Sequence, residues 1–339
     1  MQTIRWVVGA WCATLALTAP AQDRDNLLQA RDRVEWDAGG LYEGRFADGT
    51  LFQIDVPYPA PAGLHADGKN VMQGAYWYPR HFTGSVLALT VQPGVGDIIE
   101  LAPSHDTGAQ SGERFALTLD GGKVGGTGSW TSATLGRQLT FSLKRLVLYR
   151  AVALSRPSPE AFAEGSDRQF SFTALFPVLP DGSVDDWVRT TVADCSADLE
   201  CSNKVLVRSH SPTLMSLEAS TWTYSYGAAH GQYRSALRHY ALGSGAPVHT
   251  RFTNFVAAST ACRDKVSTAL VTKLRAQRLS WPEQGALADL QEPKFLPTST
   301  GIAFQWDPYE VGNYAQGAPS VFLTQEELGQ CVGKLPGYD

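Results

Sequence analysis

Two short stretches of the chain bring together side chains able to do chemistry. The first is Tyr226-Gly227-Ala228-Ala229-His230-Gly231, a run of small residues around one histidine, directly after an aromatic strand pattern. Small residues let a backbone or a ligand approach closely. The same turn also suits a histidine that only hydrogen-bonds a neighbouring loop. The second stretch, Phe304 to Gly317, sets Trp306, Tyr309 and Tyr314 beside Asp307 and Glu310, and is interrupted by Pro308, Gly312 and Gly317. Rings beside carboxylates on an irregular loop suit recognition of a carbohydrate or a protein surface, because rings offer large contact area at low entropy cost. Tyrosines that cover the edge of a core would read the same way. The candidate ligand-binding residues are Tyr226, His230, Trp306, Asp307, Tyr309, Glu310 and Tyr314. The enzymatic alternative is a cell-wall hydrolase or deacetylase using Glu310 or Asp307 with His230.

The other catalytic signatures are absent from the sequence. It has no Gly-x-Ser-x-Gly elbow, no Walker loop, no His-Glu-x-x-His and no EF-hand loop. The cluster Gly121-Gly122-Lys123-Val124-Gly125-Gly126 has no helix after it and reads as a hairpin turn rather than a phosphate cradle. None of the seven histidines pairs with another at helical ligand spacing, and no Cys-x-x-Cys occurs. No metal, no cofactor and no catalytic residue is expected. With a net charge of -5 and no basic stripe, the sequence lacks the electrostatic footprint of a nucleic-acid binder.

The N-terminus reads as a cleavable signal peptide over residues 1–21. Arg5 supplies a positive charge, Trp6 to Leu17 form an uncharged apolar run, and Ala19-Pro20-Ala21 offers small residues for cleavage. The run is too short to span a bilayer, which needs about 20 residues. A periplasmic or secreted protein with no transmembrane segment in its mature chain is expected. Cys195, Cys201, Cys262 and Cys331 would remain after cleavage, and an even number in an oxidising compartment suggests two disulfides. Of the three pairings, Cys195–Cys201 and Cys262–Cys331 are favoured.

The elements that must carry these residues follow from periodicity. Between about Val34 and Leu148, apolar residues alternate at Phe52/Ile54/Val56, Leu87/Leu89/Val91, Phe115/Leu117/Leu119 and Leu139/Phe141/Leu143, with turn signals at Asp48-Gly49 and Asp120-Gly121. This predicts an antiparallel meander or small open barrel over 27–148. Residues 149–168, with Arg156-Pro157-Ser158-Pro159, read as a linker. The remainder, 169–339, alternates at Phe170 to Val178, Trp222 to Tyr226, Val248 to Val256 and Ile302 to Trp306. A helix with Cys262, Val266, Leu270 and Leu274 on one face intervenes, and Thr324 with Glu327 forms a capping box for a last short helix. The expected fold class is α+β: an all-β antiparallel module, then an α+β domain with an antiparallel sheet and two or three helices.

The two chemistry-bearing stretches also carry a resemblance. Tyr226, Gly227, Ala229 and His230, then Asn254 and Phe255, then Tyr309, Glu310, Val311, Tyr314 and Gly317 follow in order the pattern of the RsiV-like C-terminal domain family (DUF3298-type) of exported cell-envelope proteins. The match runs over roughly residues 165–335. Ala228 departs from a glycine of the pattern, and Val256 follows Asn254-Phe255 where the family has aspartate. The resemblance implies an exported, non-enzymatic envelope protein that binds a protein or glycan ligand, with lysozyme-like hydrolases or peptidoglycan as the ligand class. More loosely, Tyr42-x-Gly44, Gly74-x-Tyr76-x-Tyr78, Ile99-Glu100-Leu101 and Gly126 to Trp130 resemble an N-terminal module of secreted bacterial proteins.

Overall fold

The computed structural model describes residues 34–58, 73–79, 87–92, 98–103, 112–157, 169–179, 188, 200–225, 227–243, 247–287 and 293–337. The signal-like segment, Cys195 and Tyr226 lie outside them. Strands β1 (Val34–Phe46), β2 (Leu51–Pro57), β3 (Gln73–Trp77), β4 (Leu87–Gln92), β5 (Ile98–Pro103), β6 (Glu113–Leu119), β7 (Gly125–Ser132) and β8 (Arg137–Pro157) pair in sequence order, each antiparallel to the next. β1 also pairs with β8, from Phe46↔Phe141 to Val34↔Ala153. The first module is therefore a closed eight-stranded barrel, not an open one. Closure leaves no free strand edge between β8 and β1.

The period-two pattern turns rings into the barrel. Tyr42, Phe46, Phe52, Tyr76, Phe115 and Phe141 fill its interior with Ile54, Leu89 and Leu101. Phe52 meets Phe141 edge-on, with centroids 5.3 Å apart. Two glycines make that packing fit: a Cβ on Gly44 would sit 2.1 Å from the Phe52 ring, and one on Gly128 would sit 2.5 Å from Phe141. The Gly121–Gly126 cluster is a hairpin turn, closed by the Asp120 carboxylate accepting from Val124 N at 2.8 Å.

β8 does not end where the barrel does. Its residues 137–144 pair with β7, and its residues 148–157 pair with β9 (Gln169–Val178). Residues 149–157, read from the sequence as the start of a linker, are therefore strand. Beyond β9 the sheet continues through β10 (Glu200–His210), β11 (Leu214–Tyr224), β12 (Gln232–Ala241) and β13 (Val248–Thr250). β9 and β10 run parallel, so this sheet is mixed rather than purely antiparallel. The alternation from Val248 to Val256 yields only a three-residue strand, because the chain enters a 3-10 turn at Phe252.

A second sheet, β14 (Phe295–Pro297), β15 (Gly301–Gln305) and β16 (Ser320–Thr324), is antiparallel. Helix α1 (Thr260–Ala276) packs on it with Val266, Leu270 and Leu274 buried against Phe304, Trp306 and Leu323. Ser259 caps α1 by accepting from Cys262 N at 3.3 Å, and Lys273 and Arg275 lie in its last turn, where cations are favoured. Helix α2 (Gln325–Leu328) opens on the Thr324/Glu327 capping box, with hydrogen bonds of 2.8 and 3.1 Å. The chain is thus α+β but strand-dominated, with two helices among the described residues. One of them is a single turn.

Cys262, in the first turn of α1, is bonded to Cys331, 69 residues on. A closed loop of that length removes roughly 4 kcal/mol of unfolded-chain entropy. The double variant Cys262→Ser/Cys331→Ser should lose about that much stability in denaturant unfolding. A loss below about 1 kcal/mol would show that the bond constrains little.

Candidate functional site

The His230 turn and the Trp306–Gly317 loop meet. The His230 ring stacks on Tyr314, with centroids 3.9 Å apart and planes 19° apart. Tyr309 completes a trio, 5.6 Å from Tyr314 and 6.4 Å from His230 between centroids. His230 Nδ1 donates to the Gly231 carbonyl at 2.8 Å, because a carbonyl only accepts. His230 Nε2 faces the Tyr309 hydroxyl at 3.4 Å. The Tyr314 hydroxyl donates to the same Gly231 carbonyl at 3.0 Å. These rings line a cavity of about 490 Å³ shared with Tyr233, Arg234 and Glu310.

Tyr309 sits at the tip. Pro308 and Tyr309 are the central residues of a turn closed by Glu310 N donating to Asp307 O at 3.1 Å. Tyr309 has φ +73 and is 55% exposed. A turn with positive φ at its third residue ordinarily takes glycine. A tyrosine held there costs on the order of 1 kcal/mol, and such outliers gather at functional sites. The carboxylates hold the turn in place. Asp307 accepts from Ser235 N at 3.0 Å and Ser235 Oγ at 2.5 Å. Glu310 Oε2 accepts from Asp307 N at 2.6 Å. Lys294 Nζ bridges the two, 2.6 Å from Asp307 and 3.0 Å from Glu310.

His230, Asp307, Tyr309, Glu310 and Tyr314 are therefore brought together. Trp306 is not part of their surface: it is buried within the core under α1. Tyr226 lies outside the described residues. Cys201 is disulfide-bonded, while Cys195 lies outside the described residues. Trp222 and Tyr224, missed as site residues, extend the patch. They stack with planes 9° apart, Trp222 is 37% exposed, and a Cβ on Gly231 would sit 2.5 Å from its indole. Their i, i+2 spacing, which puts both rings on one face of β11, is the signal the sequence carries.

A second cavity, of about 520 Å³, lies at the seam of barrel and sheet, and its lining residues carry no local mark in the sequence. Asp55 from β2 faces Tyr149 from β8, whose hydroxyl donates to it at 3.0 Å and accepts from Val207 N at 3.1 Å. Arg208 Nε donates to Glu218 Oε2, and the Tyr233 hydroxyl donates to Glu218 Oε1 at 3.4 Å. Burial raises the Asp55 carboxyl to about 7, against the pull of Arg208 and the Tyr149 hydrogen bond. Burial also lowers His239 to about 3 and His210 to about 4, so both are neutral near pH 7.

No family model matches the chain, and no curated protein matches it. Two solved structures are similar over part of it. One is a DUF3298 family protein from Pseudomonas aeruginosa PAO1, 14% identical with a TM-score of 0.40, the match covering 56% of this chain and 96% of that one. The other is a member of the DUF3298 family from Bacteroides fragilis NCTC 9343, 13% identical with a TM-score of 0.41, covering 56% of this chain and 94% of that one. The family resemblance rests on the motif residues of the His230 and Tyr309 stretches.

Asp55 makes stability depend on pH. The unfolded chain releases this proton near 3.8 and the folded chain near 7. Between those values the unfolded state gains, so the Asp55 contribution falls as pH rises from about 4 to 7. Asp55→Asn keeps the acceptor for Tyr149 and removes that slope. The stability difference between variant and wild type should shift in the variant's favour by a few kcal/mol from pH 4 to 7. A pH-independent difference would place an ionised Asp55 in the folded protein.

Proposed function

We propose that this chain is an exported, non-enzymatic cell-envelope protein. It binds a glycan or protein ligand on the aromatic patch of His230, Tyr309 and Tyr314. The observation that carries this reading is the exposed Tyr309 ring, held at a backbone conformation that a merely structural residue would not need. Stacked rings around an open cavity suit a sugar face or an inserted side chain. The carboxylates favour recognition over hydrolysis: Asp307 and Glu310 are both engaged by Lys294 and by backbone N–H groups. A general acid or base would need one of them free to exchange a proton with substrate.

Export rests on the charged, apolar and small-residue segments of the first 21 residues. Among the described residues no helix is long and apolar enough to cross a membrane. The motif resemblance directs the ligand search to lysozyme-like hydrolases and to peptidoglycan.

Tyr309→Gly separates recognition from packing. It removes the ring and suits the positive φ, so stability should stay level or rise slightly. Affinity for the captured ligand, lysozyme or peptidoglycan fragments, should weaken by about 1–3 kcal/mol if the ring is a central anchor. A folded Tyr309→Gly protein with unaltered affinity for both would remove this patch from the binding site.

A further inference from the structure

The seam cavity has the makings of a second binding site, separate from the aromatic patch. Its floor is one face of three neighbouring strands. Lys204 and Arg208 stand on β10, Glu218 and Ser220 on β11, and Tyr233 and Ser235 on β12, with register partners Lys204↔Ser220, Leu206↔Glu218 and Ser220↔Ser235. The barrel contributes Asp55 and Tyr149, and the second sheet contributes Gln305 and Ser320.

The charges on this floor are not balanced. Arg208 spends only Nε on Glu218. Among the described residues, neither of its terminal nitrogens has a hydrogen-bond partner, and its side chain keeps 26% of its surface while lining the cavity. Lys204 lines the same cavity, and no carboxylate among the described residues pairs with it. A guanidinium with two idle parallel donors is shaped for a carboxylate or phosphate. Glu218 already matches Arg208, so Lys204 is the unmatched positive charge.

We infer that the seam cavity binds a small, hydroxyl-rich carboxylate of the sugar-acid class, its carboxylate on the terminal nitrogens of Arg208 and its hydroxyls on the Ser220, Tyr233 and Gln305 side. A monoanion balances Lys204. A phosphate monoester carries roughly -1.5 to -2 near neutral pH and would crowd Glu218. Leu206, Leu237 and Leu296 line the same cavity and supply its apolar wall. The Asp55 carboxyl, raised by burial to about 7, is about half protonated near neutral pH and in that form adds a donor. The inference does not depend on the aromatic patch being a ligand site.

Calorimetric titration of the full chain near neutral pH tests it, with D-glucuronate as probe, D-glucose as the neutral analogue and inorganic phosphate as the rival anion. Glucuronate should bind saturably, and at least about tenfold more tightly than glucose or phosphate. Arg208→Gln/Glu218→Gln removes the ion pair without stranding either charge and should cost at least about tenfold. Lys204→Gln, at an exposed position, should cost about threefold. It decides the matter should the double variant fail to fold. Tyr309→Gly should leave glucuronate binding unchanged. The absence of saturable glucuronate binding overturns the inference. So does phosphate binding as tightly as glucuronate, or glucuronate binding that Tyr309→Gly abolishes and Lys204→Gln leaves intact.

Discussion

The molecule depends on one strand having its backbone hydrogen bonds satisfied on both edges. β8 is 21 residues long, roughly 70 Å at the rise of an extended chain. One edge is covered by β1 from Phe141 to Ala153. The other is covered first by β7 and then by β9. A buried strand edge left unpaired would cost several hydrogen bonds, so barrel and sheet are obliged to share this strand. Tyr149 lies just past the exchange of partners. From there it reaches Asp55 in the barrel and Val207 in the sheet. The Gln53 amide donates across the same seam to the His210 carbonyl at 2.6 Å. One apolar core runs through the joint, taking Leu41 and Trp77 from the barrel and Phe176, Val205 and Leu217 from the sheet.

The two cavities follow from that joint. Where the barrel meets the face of β10 to β12, Glu218 is buried and Arg208 partly so, and each needs the other to be tolerated there. Toward the far end of the same face, Trp222 and Tyr224 emerge beside the His230 turn. Tyr233 borders both cavities, and Ser235 lines the inner one while holding Asp307 of the outer one. The position of the exposed Tyr309 turn is therefore tied, through Asp307 and Ser235, to the sheet that floors the inner cavity.

What the sequence revealed depended on local periodicity. Phe115/Leu117 and Phe141/Leu143 alternate because only one face of those barrel strands is buried. The spacing of Cys262, Val266, Leu270 and Leu274 marked the buried stripe of α1, and the Thr324/Glu327 pair marked α2. The linker reading failed for a physical reason. Leu146 to Ala153 carries apolar residues on both faces, Val147, Tyr149 and Ala151 on one and Leu146, Leu148 and Val152 on the other, so its sequence shows no alternation, and the prolines after it suggested a break. Barrel closure and the parallel β9–β10 pair are long-range pairings with no local mark. The cluster of Asp55, Tyr149, Arg208 and Glu218 is likewise assembled by register alone, whereas the outer site was legible because its aromatic and acidic residues lie close together in sequence.

Native-state hydrogen exchange along β8 tests the central claim most directly. If one strand joins barrel and sheet, the paired amides of 139–144 and of 148–153 should be protected to a similar degree and lose protection together as denaturant is raised. Fast, independent exchange of 148–153 while 139–144 stay protected would contradict the account, and would return this segment to the role of a linker between two separate domains.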